Sequence, residues 1–167
     1  FEIIADTPHL TADQKVLIIS VLANSVGRDG MIGGQVIDLE NENSDCVDED
    51  NLRNLYRCKT GQLIAVSCGM GAICADAENE TIRAAAEYGL RLGFAFQIID
   101  DILDVTGTTE ELGKPAGSDA ESNKNTYVSL FGIEKAQMAA DRATSEALEW
   151  LDAIPNNEFL VELTENL

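Results

Sequence analysis

From Phe94 to Val105 the chain is apolar at every position except Gln97, Asp100, Asp101 and Asp104. At the helical step of about 100° per residue, Asp104 falls about 40° round from Asp100, Gln97 about 60° and Asp101 about 100°. One narrow polar band therefore runs along a helix that is apolar on its remaining sides. No basic residue lies between Gly93 and Lys114 to neutralise the band. Carboxylates at these spacings have Cβ atoms roughly 5–6 Å apart and repel one another. Partly buried, each costs several kcal/mol without a partner. A hard divalent cation removes the conflict. Oxygen donors with no nearby His or Cys favour Mg²⁺, or Mn²⁺, over zinc.

The rest of the chain also reads as helix. Thr11 and Gln14 form a capping box ahead of Val16, Leu17, Ile18, Val21 and Leu22. A second helix is expected from about Gly30 to Asn41. The acidic stretch 40–50 reads as a loop whose Asp48 or Asp50 caps a helix running unbroken to about Ala75. Asn79 is expected to cap a long helix from Glu80 to about Val105. Glycines and Pro115 mark a loop to about Asn123. A short helical turn (126–131), an alanine-rich amphipathic helix (133–153) and a last helix (158–167) complete the pattern. No alternating run of useful length marks a strand, so the fold class is all-α.

The charge balance narrows the partners. The 167 residues carry 30 acidic and 11 basic side chains, a formal net charge of −19. A field of that sign repels nucleic-acid backbones and anionic lipid heads, so neither is expected as a partner. An anionic substrate has to be met by local cations or metal. The longest uncharged apolar stretch, Gly61 to Ala75, is too short and glycine-rich to span a membrane. The cysteines, Cys46, Cys58, Cys68 and Cys74, form no CxxC pair, and reduced thiols in a cytoplasmic protein are expected.

Three of the five lysines stand near the aspartate chemistry. Lys114 and Lys124 lie in the loop following the aspartate helix. Lys59 precedes Thr60 and then fifteen uncharged residues, which suits an anion bound above an apolar cavity. In Gly30-Met-Ile-Gly-Gly-Gln-Val-Ile-Asp38, Gln35 and Asp38 share a face. Its three glycines are unfavourable in a helix by roughly 1 kcal/mol each relative to Ala, and close packing against a neighbouring helix is their expected reason.

Together these segments resemble the polyprenyl synthetase family, the head-to-tail trans-prenyltransferases. Phe96-Gln97-x-x-Asp100-Asp101-x-x-Asp104 is similar to that family's second aspartate-rich motif. Gly30-Met31-x-x-Gly34-Gln35-x-x-Asp38, Lys59-Thr60-Gly61, Leu112-Gly113-Lys114-Pro115-x-Gly117-x-Asp119 and Asn123-Lys124-x-Thr126 match further signatures in order. The resemblance implies the helical bundle of the isoprenoid synthases. It also implies condensation of an allylic diphosphate with isopentenyl diphosphate to a longer polyprenyl diphosphate. By the same carry-over, Asp100 and Asp104 ligate Mg²⁺ with Asp101 as a supporting ligand or charge. Lys59, Lys114 and Lys124 hold the allylic diphosphate. Thr60 and Gln97 place oxygen dipoles near the developing cation, and Gln35 and Asp38 line the pocket.

The family's first aspartate-rich motif and its N-terminal diphosphate-binding motif have no counterpart in these 167 residues. The resemblance therefore implies the C-terminal part of one polyprenyl synthetase domain over 1–167. Such a chain is expected to be inactive alone, and to form a homodimer or associate with the N-terminal half. The alternative is a non-catalytic regulatory relative that binds a full-length partner, although such relatives often lose the aspartates retained here.

Overall fold

The computed structural model describes residues 1–42, 44, 46–107 and 124–167. Every regular element among them is helical, which meets the all-α expectation. In chain order they are α1 (Glu2–Asp6), α2 (Ala12–Val26), α3 (Met31–Asn41), α4 (Glu49–Tyr56), a π-helical turn (Arg57–Gly61), α5 (Gln62–Cys74), α6 (Asn79–Thr106), α7 (Tyr127–Phe131), α8 (Ile133–Leu151) and α9 (Glu158–Glu165).

Local chemistry sets several of these boundaries. The Gln14 N–H donates to Thr11 Oγ1 at 3.2 Å, and the Thr11 N–H donates to Gln14 Oε1 at 3.0 Å. Asp48 caps α4 by accepting from the Asn51 N–H at 2.8 Å. Thr126 and Ser129 reciprocate in the same way at the start of α7. Glu78 rather than Asn79 precedes the long helix, and its side chain makes no capping bond there.

The stretch Ala12–Asn41 approaches a membrane span in length and apolarity, with a mean hydropathy of 1.3 in its most apolar part. Gly27 and Gly30, both outside helical dihedrals, break it into helices of 15 and 11 residues. At 1.5 Å per residue these reach about 22 and 16 Å, short of a roughly 30 Å hydrocarbon core. Their apolar side chains are nonetheless open: Val16, Leu17, Ile32, Val36 and Leu39 are all exposed.

The single helix expected from Asp50 to Ala75 is interrupted. The wide turn Arg57–Gly61 inserts extra backbone between α4 and α5, and Lys59 and Thr60 lie within it. Turns of this kind concentrate at functional sites because they redirect side chains without ending the helix.

Helix α6 is the central element, packed on α5 along one side and on α8 along another. Glycine makes the first contact possible. A Cβ on Gly89 would stand 2.6 Å from Ala65 Cα, and one on Gly93 would stand 2.8 Å from Gly61 Cα. On the other side Ala136, Ala140, Ala143 and Ala147 form the buried stripe of α8. Close packing between helices also accounts for Gly34, where a Cβ would meet the Lys59 backbone nitrogen at 2.3 Å. Gly30 and Gly33 differ from expectation. Their Cβ atoms would strike the carbonyls of Ser25 and Arg28, in the chain leading into their own helix.

Candidate active site

α3, α4 with its π turn, and the middle of α6 converge with residues 124–126 on a cleft of about 270 Å³. Asp38, Lys59, Gln97, Asp100, Asp101 and Lys124 all line it. Thus six of the residues singled out from sequence meet in one place, although they span 86 positions of the chain from Asp38 to Lys124. The close approach of Gly34 to the π turn brings Asp38, four residues on, up to Lys59. The Lys59 ammonium donates to Asp38 Oδ2 at 2.5 Å, with the carboxylate mostly buried. Thr60 stands beside the cleft, and its hydroxyl donates to Gln97 Oε1 at 3.0 Å. That bond fixes the amide across 37 residues of sequence.

The three aspartates have different surroundings. Asp100 lines the cleft and is half-buried. Asp101 is 3% exposed and Asp104 1% exposed. Asp101 accepts from the Tyr56 hydroxyl, from the Tyr127 backbone N–H at 3.0 Å and from Gln97 Nε2 at 3.4 Å. Three donors satisfy the oxygens of a carboxylate taken out of water. Asp104 lies one turn beyond Asp100 and outside the lining of the cleft. Gln35 is exposed and also outside it, whereas Asp38 on the same helix is inside. Lys114 lies outside the described residues, as do all of residues 108–123.

Sequence reasoning missed Tyr56, Asn125 and the backbone of Tyr127. Tyr56 sits three residues before Lys59, 4% exposed, with its hydroxyl on Asp101. Asn125 Nδ2 donates to the carbonyls of Asn41 (2.9 Å) and Ser44 (3.0 Å), which ties the wall bearing Lys124 to the end of α3. The legible signal was the Thr126–Ser129 cap, which marks a helix start just after Lys124 and so an anchored rather than trailing lysine.

Tyr127 carries a second contact on its ring. Its hydroxyl donates to Glu49 Oε1 at 2.8 Å, and Arg53 donates to the same oxygen at 2.7 Å. These bonds, Tyr127 first, hold the Glu49 carboxyl below its ordinary range. Burial, reinforced by the Glu49 contact, pushes the Tyr127 phenol up.

Among the described residues no group of three or more His, Cys, Asp or Glu side chains is gathered closely enough to hold a metal. The cleft presents the hard carboxylate oxygens of Asp38, Asp100 and Asp101, with Asp38 engaged by Lys59 and Asp101 by its three donors. They fit a hard divalent cation in kind and are too few to surround one.

The chain matches the family model "Polyprenyl synthetase" over residues 1–158. It is 34% identical to farnesyl diphosphate synthase of Haemophilus influenzae over 167 residues, covering 99% of this chain and 56% of that protein. It is 38% identical to farnesyl diphosphate synthase of Escherichia coli over 164 residues, covering 98% and 54%. A crystal structure of a Helicobacter pylori geranyltransferase, complexed with magnesium and isoprenyl diphosphate, aligns with a TM-score of 0.81 at 34% identity. That alignment covers 99% of this chain and 54% of the geranyltransferase. The chain thus spans about half the length of the relatives it matches.

Proposed function

This chain belongs to the polyprenyl synthetase family, and we propose that it supplies the C-terminal part of a trans-prenyltransferase site joining an allylic diphosphate to isopentenyl diphosphate. The observation that carries the reading is the convergence of Asp38, Lys59, Gln97, Asp100 and Lys124 on one cleft. Cations and hard carboxylate oxygens face each other there, as a metal-bound diphosphate requires.

In this reading Asp100 is the carboxylate offered to Mg²⁺, and further ligands come from outside the described residues. When bound, the cation supplies positive charge to the oxygens of the departing diphosphate. Lys59 and Lys124 hold the same oxygens from the protein side, and Lys114 is assigned to join them. Asp38 holds the Lys59 ammonium in place. Thr60 orients Gln97 so that the amide oxygen dipole faces the carbon that loses the diphosphate, an electrostatic aid to the developing cation. Asp104, 1% exposed and outside the cleft lining, is assigned with Asp101 to supporting charge in place of the direct ligation that the sequence resemblance implied for it, and Asp101 fixes the wall that carries Lys124. The alanine and glycine contacts of α6 hold the whole set in register.

The reading places the protein in the cytoplasm, and four free cysteines suit a reducing compartment. The exposed apolar faces of α2 and α3 are assigned to packing against the rest of a full-length synthase or against a second copy. Light scattering of the purified chain is then expected to show particles larger than 18.0 kDa, and turnover by the chain alone is expected to be absent.

The test is calorimetric titration of Mg²⁺ and a non-hydrolysable allylic diphosphate into the chain, beside Asp100→Ala. Binding that requires both the metal and Asp100 is expected. Binding that persists without metal, or is unchanged in Asp100→Ala, would overturn the reading.

A further inference from the structure

A second cleft, of about 450 Å³, lies between α4, α6 and α8. Its rim carries Arg53, Arg57, Arg91 and Arg142. These are four of the chain's six arginines, brought together by three segments of a protein whose net charge is −19. Phe94 lies among them, with the Arg53 guanidinium 5.0 Å over its ring. Glu146 is the one carboxylate in the lining.

The local acids do not balance this cluster. Glu49 takes Arg53 at 2.7 Å. Glu146 is shared between Arg91 at 3.2 Å and Arg142 at 2.8 Å, and Glu87 adds a longer contact to Arg91 at 3.5 Å. Arg57 donates only to Asn54 Oδ1 at 3.0 Å and Cys58 Sγ at 3.3 Å, and no carboxylate among the described residues pairs with it. Each guanidinium carries five N–H donors, so these contacts leave donors on every rim residue. Planar forks with spare donors around an aromatic floor recognise a phosphate group joined to an apolar group.

We propose that this cleft binds a phosphate-bearing small molecule, with its phosphate on the Arg57 and Arg142 guanidiniums and its apolar part against Phe94. The site is separate from the metal-dependent cleft and needs no divalent cation. The two are built from alternate faces of one segment, since Arg53 and Arg57 share one stripe while Tyr56 and Lys59 share another.

Calorimetric titration of the chain with hexyl phosphate, in buffer stripped of divalent cations by chelating resin, tests this. Saturable binding is expected, weaker for inorganic phosphate. The double variant Arg57→Ala/Arg142→Ala is expected to weaken it by at least about tenfold, because two charge-assisted contacts are lost. Lys59→Ala/Lys124→Ala is expected to leave it unchanged. Both arginines are exposed, and circular dichroism of the variant should match the parent. Glu146→Gln, which releases Arg91 and Arg142 from their carboxylate, is expected to tighten binding. An absence of saturable binding, indifference to the arginine pair, dependence on the lysine pair, or weakening by Glu146→Gln would each overturn the proposal.

Discussion

Arg57 and Lys59 are two residues apart and serve clefts that treat charge in opposite ways. Around Lys59 the charged groups are sunk into the fold: Asp101 is 3% exposed and is held by three donors from α4, α6 and α7. Around Arg57 they stay in solvent, and the Arg142 side chain is 79% exposed in its pair with Glu146. A buried carboxylate with a full set of donors is part of the structure, because removing it strands several polar groups at once. An exposed guanidinium pair adds about 0–1 kcal/mol and can be redirected to a ligand at little cost. If the two clefts bind as proposed, the first couples binding to folding and the second leaves them independent.

The sharpest way to break that contrast is at Asp101. Asp101→Ala leaves the Tyr56 hydroxyl and the Tyr127 N–H without their shared acceptor, and a loss of about 3–5 kcal/mol is expected, read as a fall in the urea midpoint at constant slope. A loss below about 1 kcal/mol would mean that this carboxylate is no more structural than a surface one. Tyr56→Phe removes from the same network one hydroxyl, which donates to Asp101 and accepts from the Tyr127 N–H. About 1–2 kcal/mol should go, together with affinity for the diphosphate analogue, as the wall bearing Lys124 loosens; unaltered affinity would separate the network from the cleft. Arg57→Ala/Arg142→Ala marks the lower end, with a change in stability within about 0.5 kcal/mol expected from the same urea melts. A larger change would show that the arginine cleft is also load-carrying in the fold.

Tyr127 joins the two regimes, since its N–H meets Asp101 and its hydroxyl meets the Glu49 that holds Arg53. pH exposes the link. The Glu49 carboxyl is held low, so the stability it lends is present above its unfolded value of about 4.3 and fades as pH falls through the lower folded value. The Tyr127 phenol is held high, so its share is present below its unfolded value of about 10 and fades as pH rises through the higher folded value. Tyr127→Phe is expected to flatten both limbs of a stability profile by small amounts. Burial also raises Tyr88, which keeps part of the alkaline limb. An acid limb identical in parent and variant would dissolve the link.

What could be read ahead of the structure was whatever obeys a short period. The polar band of α6, the Thr11 cap and the Asp48 cap each depend on residues within about four positions of one another. Lys59, Gln97 and Asp100 could be singled out by the company they keep in sequence, and the structure brings them to one cleft. Tyr56 was not, since its partners lie 45 and 71 positions away and a buried tyrosine carries no mark of what its hydroxyl meets. The arginine cleft was hidden for the same reason, its rim being scattered from Arg53 to Arg142. The π turn was hidden for another: a widened turn at Arg57 to Gly61 leaves no trace in periodicity.

That turn acts as a phase adjuster between two helices. Because one residue corresponds to about 100° of rotation, shortening Arg57–Gly61 by one position would swing the whole of α5 about its axis relative to α4. Gly61 would leave Gly93, Ala65 would leave Gly89, and the side chains of α5 would meet α6 where only glycine fits. The single surplus residue thus lets α4 present Tyr56 to one neighbour while α5 keeps its smallest residues toward another, two alignments that a regular helix of the same length could not hold together.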